Sequence, residues 1–279
     1  MVLNQDEDYY ARMASSVGDK AKLLPFVYGK RVLEIGFGGG ELMDILHGQG
    51  YEVYGLDASA VSVSKVAEAP YKANVKEGYA DEILNFWEEG YFDTIILSSV
   101  LHEVFSYGNR DGKQKRSLDS IESTLEVIFK ALDTGGEVII RDGVLAEDWD
   151  RKVEVVMLNN DVQGVKNYLE AQPFKDRVSL TRTGDNVFLG NLESATSMAY
   201  TYTWGEASLP RESQELFGVM TRKEYCSLLE DKGFTVIHHE EYVQPGYVKA
   251  LSPKMQFRTP EGEPVSFPST NAVWIAEKF

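Results

Sequence analysis

Three glycines and two acids near the start of the chain carry its clearest chemical signal. Gly36, Gly38 and Gly40 occupy alternate positions directly after a short apolar run. Glu34 precedes them, and Asp57 ends a second apolar run. Glycines let a backbone approach a ligand closely, and a helix that begins after them offers unpaired N–H groups to an anion. Because Asp57 is placed to accept hydrogen bonds from ribose hydroxyls, the pattern predicts a βαβ unit that binds a ribose-bearing cofactor.

The spacing of the glycines separates two kinds of cofactor. A dinucleotide fingerprint, G-x-G-x-x-G/A, counted from Gly36 requires a small residue at position 41, where helix and strand pack closely. That position holds Glu41. Glu34 and Glu41 therefore both argue against a nicotinamide-dependent oxidoreductase. The pattern present, acidic-x-Gly-x-Gly-x-Gly, resembles motif I of the class I S-adenosylmethionine (SAM) methyltransferases.

Two further motifs follow in the order that this family shows. Residues 92–97, followed by Ser-Ser-Val-Leu-His-Glu at 98–103, resemble the fourth strand and the loop after it. Residues 131–140 resemble the end of a helix, a Gly-Gly turn and the fifth strand. The resemblance implies an α/β fold with a doubly wound, mostly parallel sheet of seven strands, the last of them antiparallel. It also implies SAM as the cofactor.

The resemblance assigns cofactor residues by position. The glycine turn holds the methionine portion of SAM, Glu34 orients the turn or meets the SAM amino group, and the acid after the second strand holds the ribose. Family members commonly have Gly-Asp-Ala after the third strand, but this chain has Gly-Tyr-Ala-Asp, so either Tyr79 or Asp81 meets the adenine. The residues expected to bind the cofactor are Glu34, Gly36, Phe37, Gly38, Gly40, Asp57, Ala58, Tyr79, Ala80, Asp81 and Ser98.

Methyl transfer from SAM needs few catalytic groups, because the sulfonium already activates the methyl. The enzyme must align the acceptor, exclude water and remove a proton where the acceptor carries one. His102, in the loop after the fourth strand, is the candidate base, since histidine ordinarily titrates near neutrality; the alternative is a packing role. Asp142 ends the fifth strand and faces the same crevice, or serves as a turn acid before Gly143. No spacing of Cys and His residues indicates a metal site.

The alternation of strands and helices defines the expected domains. It runs to residue 143, stops, and resumes with a helix near 221–232 and strands at 234–239 and 271–278. A proline-marked excursion at 240–270 is expected to wrap the surface in extended form. The predicted organisation is a helical cover at 1–30, a SAM-binding core at 31–143, a substrate cap at 144–220 and completion of the core sheet at 221–279.

One aromatic pattern lies inside the expected cap. Tyr200, Tyr202 and Trp204 alternate with threonines. A period of two predicts one face of a strand, which is more often core than a ligand wall.

Composition limits the classes of function. With 279 residues, of which 43% are hydrophobic, the chain can bury a full core. A net charge of −16 disfavours binding that neutralises many phosphates, and one cysteine, Cys226, suits a reducing cytoplasm. Neither a signal peptide nor a membrane span is expected.

The sequence therefore predicts a cytoplasmic enzyme that methylates an oxygen or nitrogen atom of a small or medium-sized acceptor, with no membrane partner. The alternatives are a methyltransferase of RNA or protein, a nicotinamide-dependent oxidoreductase, and a non-catalytic SAM-binding module. The acidic charge weakens the nucleic-acid alternative. The sequence does not predict the oligomeric state.

Overall fold

The computed structural model of the protein describes residues 17–108, 116–244 and 246–279. These residues form two compact units. The first comprises the described residues up to Asp142 together with Tyr225–Glu240 and Val273–Phe279, and the second comprises Gly143–Glu224 and Glu241–Ala272. Both excursions from the alternating pattern, at 144–220 and at 240–270, thus belong mainly to the second unit.

The regular elements are numbered in chain order. The strands of the described residues are β1 (Arg31–Ile35), β2 (Glu52–Asp57), β3 (Val75–Glu77), β4 (Phe92–Ser98), β5 (Leu132–Gly143), β6 (Lys152–Met157), β7 (Leu180–Arg182), β8 (Val187–Asn191), β9 (Phe234–Tyr242), β10 (Met255–Arg258), β11 (Pro264–Val265) and β12 (Asn271–Lys278). Their helices are α1 (Val17–Lys20), α2 (Glu41–Gly48), α3 (Ala60–Lys65), α4 (Leu101–Tyr107), α5 (Leu118–Ala131), α6 (Val162–Ala171), α7 (Leu192–Thr203), α8 (Leu209–Glu212), α9 (Arg222–Asp231) and α10 (Tyr247–Leu251).

The first unit is built on a seven-stranded sheet in the order β3-β2-β1-β4-β5-β12-β9. Strand β1 pairs in parallel with β2 and β4, β2 with β3, and β4 with β5. This architecture confirms the predicted doubly wound, mostly parallel sheet. The strand order reverses between β1 and β4, and ligands of such sheets bind at the carboxyl ends of the strands beside that reversal.

Burial explains why the central strands form where they do. The apolar residues of β1, Val32, Leu33 and Ile35, are all buried, as are Ile95 and Ile96 in β4. Near-continuous apolar runs are typical of parallel strands that helices cover on both faces. The sheet therefore forms the core of this unit and fixes the position of the loops at its edge.

The N-terminal cover is only partly described. After α1 the chain forms a 3₁₀ helix over Ala21–Phe26, with Leu23 buried. Residues 1–16 of the predicted cover lie outside the described residues.

The second unit contains a five-stranded sheet in the order β11-β10-β6-β8-β7, and its pairings are antiparallel. The expectation that residues 240–270 wrap the surface in extended form is wrong. This segment forms α10 and supplies β10, whose Met255 and Phe257 are buried, and β10 pairs with β6. The alternation of buried and more exposed residues in β10 is the ordinary pattern of a strand with one buried face.

The prediction that the aromatic residues at 200–204 lie on one face of a strand is also wrong, because they lie at the end of a helix. Tyr200 and Tyr202 belong to α7, and Trp204 is its C-cap. Asn191 caps the start of α7, where its side chain accepts a hydrogen bond from the Ser194 N–H at 2.9 Å. Three alternating aromatic residues are too short a pattern to outweigh that capped start.

No helix in the described ranges is both long and apolar enough to cross a bilayer.

Candidate active site

The turn between β1 and α2 requires glycine at several positions. Gly36, Gly38 and Gly40 have φ of 65°, 59° and 86°, in the left-handed region that other residues rarely adopt. A Cβ on Gly36 would lie 2.6 Å from Cγ2 of Val100, and one on Gly40 would lie 2.6 Å from Cγ1 of Val66. The glycines thus give both the shape of the turn and its close approach to the loop after β4.

Asp57, at the end of β2, holds the glycine turn in place. Its Oδ2 accepts a hydrogen bond from the Gly38 N–H at 2.9 Å, and its Oδ1 accepts one from the Ser59 N–H at 2.8 Å. Burial raises the pKa of Asp57, and these N–H donors oppose that shift. Because each carboxylate oxygen can accept a second hydrogen bond, Asp57 retains the capacity to bind a ligand hydroxyl.

Glu34 is the most unusual polar group of the site. It is 1% exposed, and neither of its carboxylate oxygens has a hydrogen-bond partner in the described part of the chain. Burial raises its pKa to about 8, and the negative charges of Glu41 and Asp57 also raise it. The positive charge of Lys20 and the nearby backbone N–H of Met43 lower it. A buried acid without a partner is costly. Its place beneath the turn suits a cationic ligand group, and the ammonium of SAM is such a group.

Two other residues expected to bind the cofactor, Phe37 and Ala58, differ in their exposure. Phe37 is fully buried, and a Cβ on Gly55 would lie 3.0 Å from its ring, so only the Phe37 backbone is available to a ligand at the turn. Ala58, directly after β2, is exposed.

The residues after β3 open a 3₁₀ helix over Ala80–Asn85. Tyr79 caps it, with its N–H donating to Oε2 of Glu82 at 2.8 Å. The Tyr79 side chain is 36% exposed, whereas Ala80 and Asp81 are half-buried. The ring of Tyr79 is therefore accessible for stacking on a flat ligand.

Ser98, the last residue of β4, and Ser99, the residue after it, differ in their hydrogen bonding. Ser98 is buried, and its hydroxyl has no partner within the described ranges. Ser99 has a φ of 63°, and Arg141 holds it there: the Ser99 N–H donates to the Arg141 carbonyl at 2.6 Å, and Arg141 Nη1 donates to Ser99 Oγ at 2.8 Å. Arg141 also pairs with Asp19 of α1 through Nε at 2.9 Å.

His102 and Asp142 form a buried pair at the ends of β4 and β5. His102 Nδ1 lies 2.6 Å from Oδ1 of Asp142, and both residues are buried. Asp142 Oδ2 also accepts from the backbone N–H of Val100 at 3.1 Å and from that of His102 at 3.2 Å. A carboxylate accepts, so Nδ1 carries the proton and Nε2 is the basic ring nitrogen. This arrangement can hold a histidine in the orientation of a general base.

The structure brings five of the residues selected from the sequence into two groups. Glu34, Gly38 and Asp57 meet at the glycine turn, and His102 and Asp142 meet at the β4 and β5 edge. Sequence reasoning missed three charged or polar residues. Arg141 could have been noticed as a charge within an apolar strand, whereas Lys20 and Asp19 give no local signal.

Comparisons with known proteins agree with this geometry. The family described as "Methyltransferase domain" matches residues 7–239. A SAM-dependent methyltransferase structure from Mesorhizobium loti is 15% identical, with 94% of this chain and 97% of that chain covered and a TM-score of 0.53. One from Methanosarcina mazei is 17% identical, with 92% and 97% covered and a TM-score of 0.50.

A third similar structure is a Haloferax volcanii protein in complex with the Trm112 methyltransferase activator. It is 13% identical, with 99% of this chain and 97% of that chain covered and a TM-score of 0.52. At such identities these structures show a shared fold, and no curated protein sequence matches the chain. Because the family match covers most of the chain, the protein belongs to the methyltransferase domain family; it is a class I methyltransferase with SAM as its cofactor, as the three motifs predicted.

Proposed function

We propose that the protein transfers the methyl group of SAM to an oxygen or nitrogen atom of a small or medium-sized acceptor, with His102 as the base. The observation that carries this proposal is the buried pair of His102 and Asp142 beside the strand-order reversal. Oxygen and nitrogen acceptors commonly carry a proton that must leave, and an oriented imidazole can remove it.

The cofactor half of the proposal assigns each group to one part of SAM. Glu34 meets the ammonium, the turn from Gly36 to Gly40 with the Phe37 backbone surrounds the methionine portion, and Ser98 lies beside it. Asp57 and Ala58 meet the ribose, and the residues after β3 meet the adenine. For that last contact, the accessible ring of Tyr79 supports stacking, with Ala80 and Asp81 alongside.

The charge around the turn supports SAM against a dinucleotide. Glu34, Glu41 and Asp57 are close enough for their negative charges to act on one another. Glu41 and Asp57, together with Glu34 once it is ionised, attract the sulfonium and ammonium of SAM and repel a pyrophosphate. The same charges count against the nicotinamide-dependent oxidoreductase.

The chain's own residues then account for the reaction. SAM supplies the activated methyl. Asp142 accepts from Nδ1 of His102, which fixes the tautomer and lets Nε2 take the acceptor's proton as the acceptor attacks. His102 lies in the first turn of α4 and not in a loop. Asp142 also accepts from backbone N–H groups at the start of that helix, so one carboxylate holds both the ring and the helix start.

The second compact unit is the proposed substrate cap. It follows directly on the carboxyl end of β5, the strand whose end carries Asp142. A cap favours an acceptor that can be enclosed, and the net charge of −16 counts against RNA. The lone cysteine, Cys226, supports a place in the reducing cytoplasm.

A product search tests this function. The purified protein and SAM with a ¹³C-labelled methyl are incubated separately with small metabolites, total RNA and total protein, and products about 15 daltons heavier, one ¹³CH₂ per methyl transfer, are sought by mass spectrometry. We expect labelled products among small metabolites, and His102→Ala should suppress them. Labelling confined to RNA or protein would reject the proposed acceptor class. Tight SAM binding without labelling anywhere would favour a non-catalytic module.

A further inference from the structure

Lys20, the last residue of α1, is a buried cation that the proposed function leaves unused. It is 4% exposed. Lysines are almost never fully buried unless they are paired. Within the described ranges, however, no carboxylate oxygen lies within 4.0 Å of its amine. The burial of this charge therefore needs an explanation.

The position of Lys20 is fixed by its neighbours. The adjacent Asp19 is buried and is bonded to Arg141, and Arg141 in turn is bonded to Ser99 at the end of β4. Helix α1 also packs against α2, the helix that follows the glycine turn. These contacts tie α1 to the two loops that border the proposed cofactor site.

Lys20 lies near the acids of that site without pairing with them. Its positive charge acts on both Glu34 and Asp57. Each carboxylate oxygen of Asp57 accepts one hydrogen bond, from the N–H of Gly38 or of Ser59. Glu34 has no hydrogen-bond partner among the described residues. The site thus holds a buried acid and a buried cation that are close to each other but not paired.

The methionine portion of SAM carries both complementary charges, an ammonium and a carboxylate. We propose that Lys20 binds the methionine carboxylate of SAM, opposite Glu34, which binds the ammonium. This inference rests on the proposed function and deepens it. It explains why an acid and a cation are buried close together without pairing, because a bound zwitterion would pair with the cation and with the acid, which ionises on binding.

Paired ligands and variants test the proposal by titration calorimetry. The ligands are SAM and decarboxylated SAM, which keeps the ammonium and lacks the carboxylate. Lys20→Met should weaken SAM binding about tenfold or more, the usual loss for a hydrogen bond to a charged group. It should leave the binding of decarboxylated SAM unchanged or slightly tighter. The matched control is Lys30→Met, since Lys30 is an exposed lysine of the same compact unit, and it should alter neither affinity.

The outcomes separate this proposal from the proposed function. Equal changes in the affinity for the two ligands caused by Lys20→Met would show that Lys20 does not recognise the carboxylate, which would overturn the inference and leave the proposed function standing. Failure of the wild-type protein to bind SAM at all would overturn the proposed function as well. If Lys20→Met does not fold, the test uses Lys20→Gln together with the affinities of the wild-type protein for SAM and for decarboxylated SAM. Equal wild-type affinity for the two ligands would also overturn it.

Discussion

The buried acids Asp142 and Glu34, in the two halves of the sheet's carboxyl edge, are satisfied in different ways. At β4 and β5, His102 is bonded to Asp142, and Arg141 is bonded to Ser99 and Asp19. At β1, Glu34 is equally buried but has no partner among the described residues. Buried polar groups are normally paired. Under the proposed function, the protein itself holds the acid of the catalytic half, Asp142, whereas the cofactor supplies the partner of Glu34 in the other half.

Of the changes that test this contrast, removal of the proposed base should have the largest effect on the reaction rate. We expect His102→Ala to lower kcat about a hundredfold or more, the usual contribution of a general base, with little change in SAM affinity. Steady-state kinetics and calorimetry measure the two quantities. His239→Ala, which removes an exposed histidine, is the control. Full activity in His102→Ala would reduce His102 to a packing residue.

The same half should respond as one unit. Asp142→Asn keeps the size of the side chain but loses the charge that stabilises a protonated imidazole, so kcat should fall about tenfold or more. In the His102→Ala background, the Asp142→Asn change should have almost no further effect on kcat, because interacting groups are not additive. Fully additive losses in the double variant would contradict the assigned roles.

The cofactor half should be sensitive to the shape of its turn. Gly36→Ala places a Cβ 2.6 Å from Val100 at a φ of 65°, so it should cost about 1–2 kcal/mol of stability and weaken SAM binding about tenfold. Thermal unfolding and calorimetry measure these effects. Gly48→Ala is the matched control, since a Cβ there meets nothing within 4 Å, and the change should be neutral or slightly stabilising. Equal behaviour of the two variants would rule out the tight turn.

Ser98 offers the smallest and most selective test. Its buried hydroxyl has no partner in the described residues, so Ser98→Ala should leave the stability of the free protein unchanged or slightly higher. If SAM meets that hydroxyl, the same variant should bind SAM roughly fivefold more weakly. Thermal unfolding with and without SAM measures both quantities. Unchanged affinity would remove Ser98 from the cofactor site.

The features that the sequence predicts correctly depend on residues close together in the chain, and those that it misses depend on residues far apart. The strand predicted at 92–98 is β4, and the one predicted at 271–278 is β12, because buried apolar runs are local signals. The glycine turn was visible for the same reason. The pair of His102 and Asp142 joins residues 40 positions apart, and that of Asp19 and Arg141 joins residues 122 apart. Only the folded sheet brings such partners together.

The protonation state of Glu34 gives a way to measure the contrast between the two halves. With a pKa of about 8, its carboxyl holds a proton in most free molecules at pH 7. A bound ammonium favours the ionised form, so SAM binding should expel that proton. The affinity for SAM should accordingly rise with pH and level off above about 8, as the carboxyl becomes ionised before binding.

The most direct test of the account is the number of protons released when SAM binds at pH 7, measured by calorimetry in buffers of different ionisation enthalpy. The account predicts release of about 0.9 proton by the wild-type protein, from a pKa near 8. It predicts almost none by Glu34→Gln, which should also bind SAM more weakly. Tight SAM binding with no proton release by the wild-type protein would contradict the claim that the cofactor completes the buried acid.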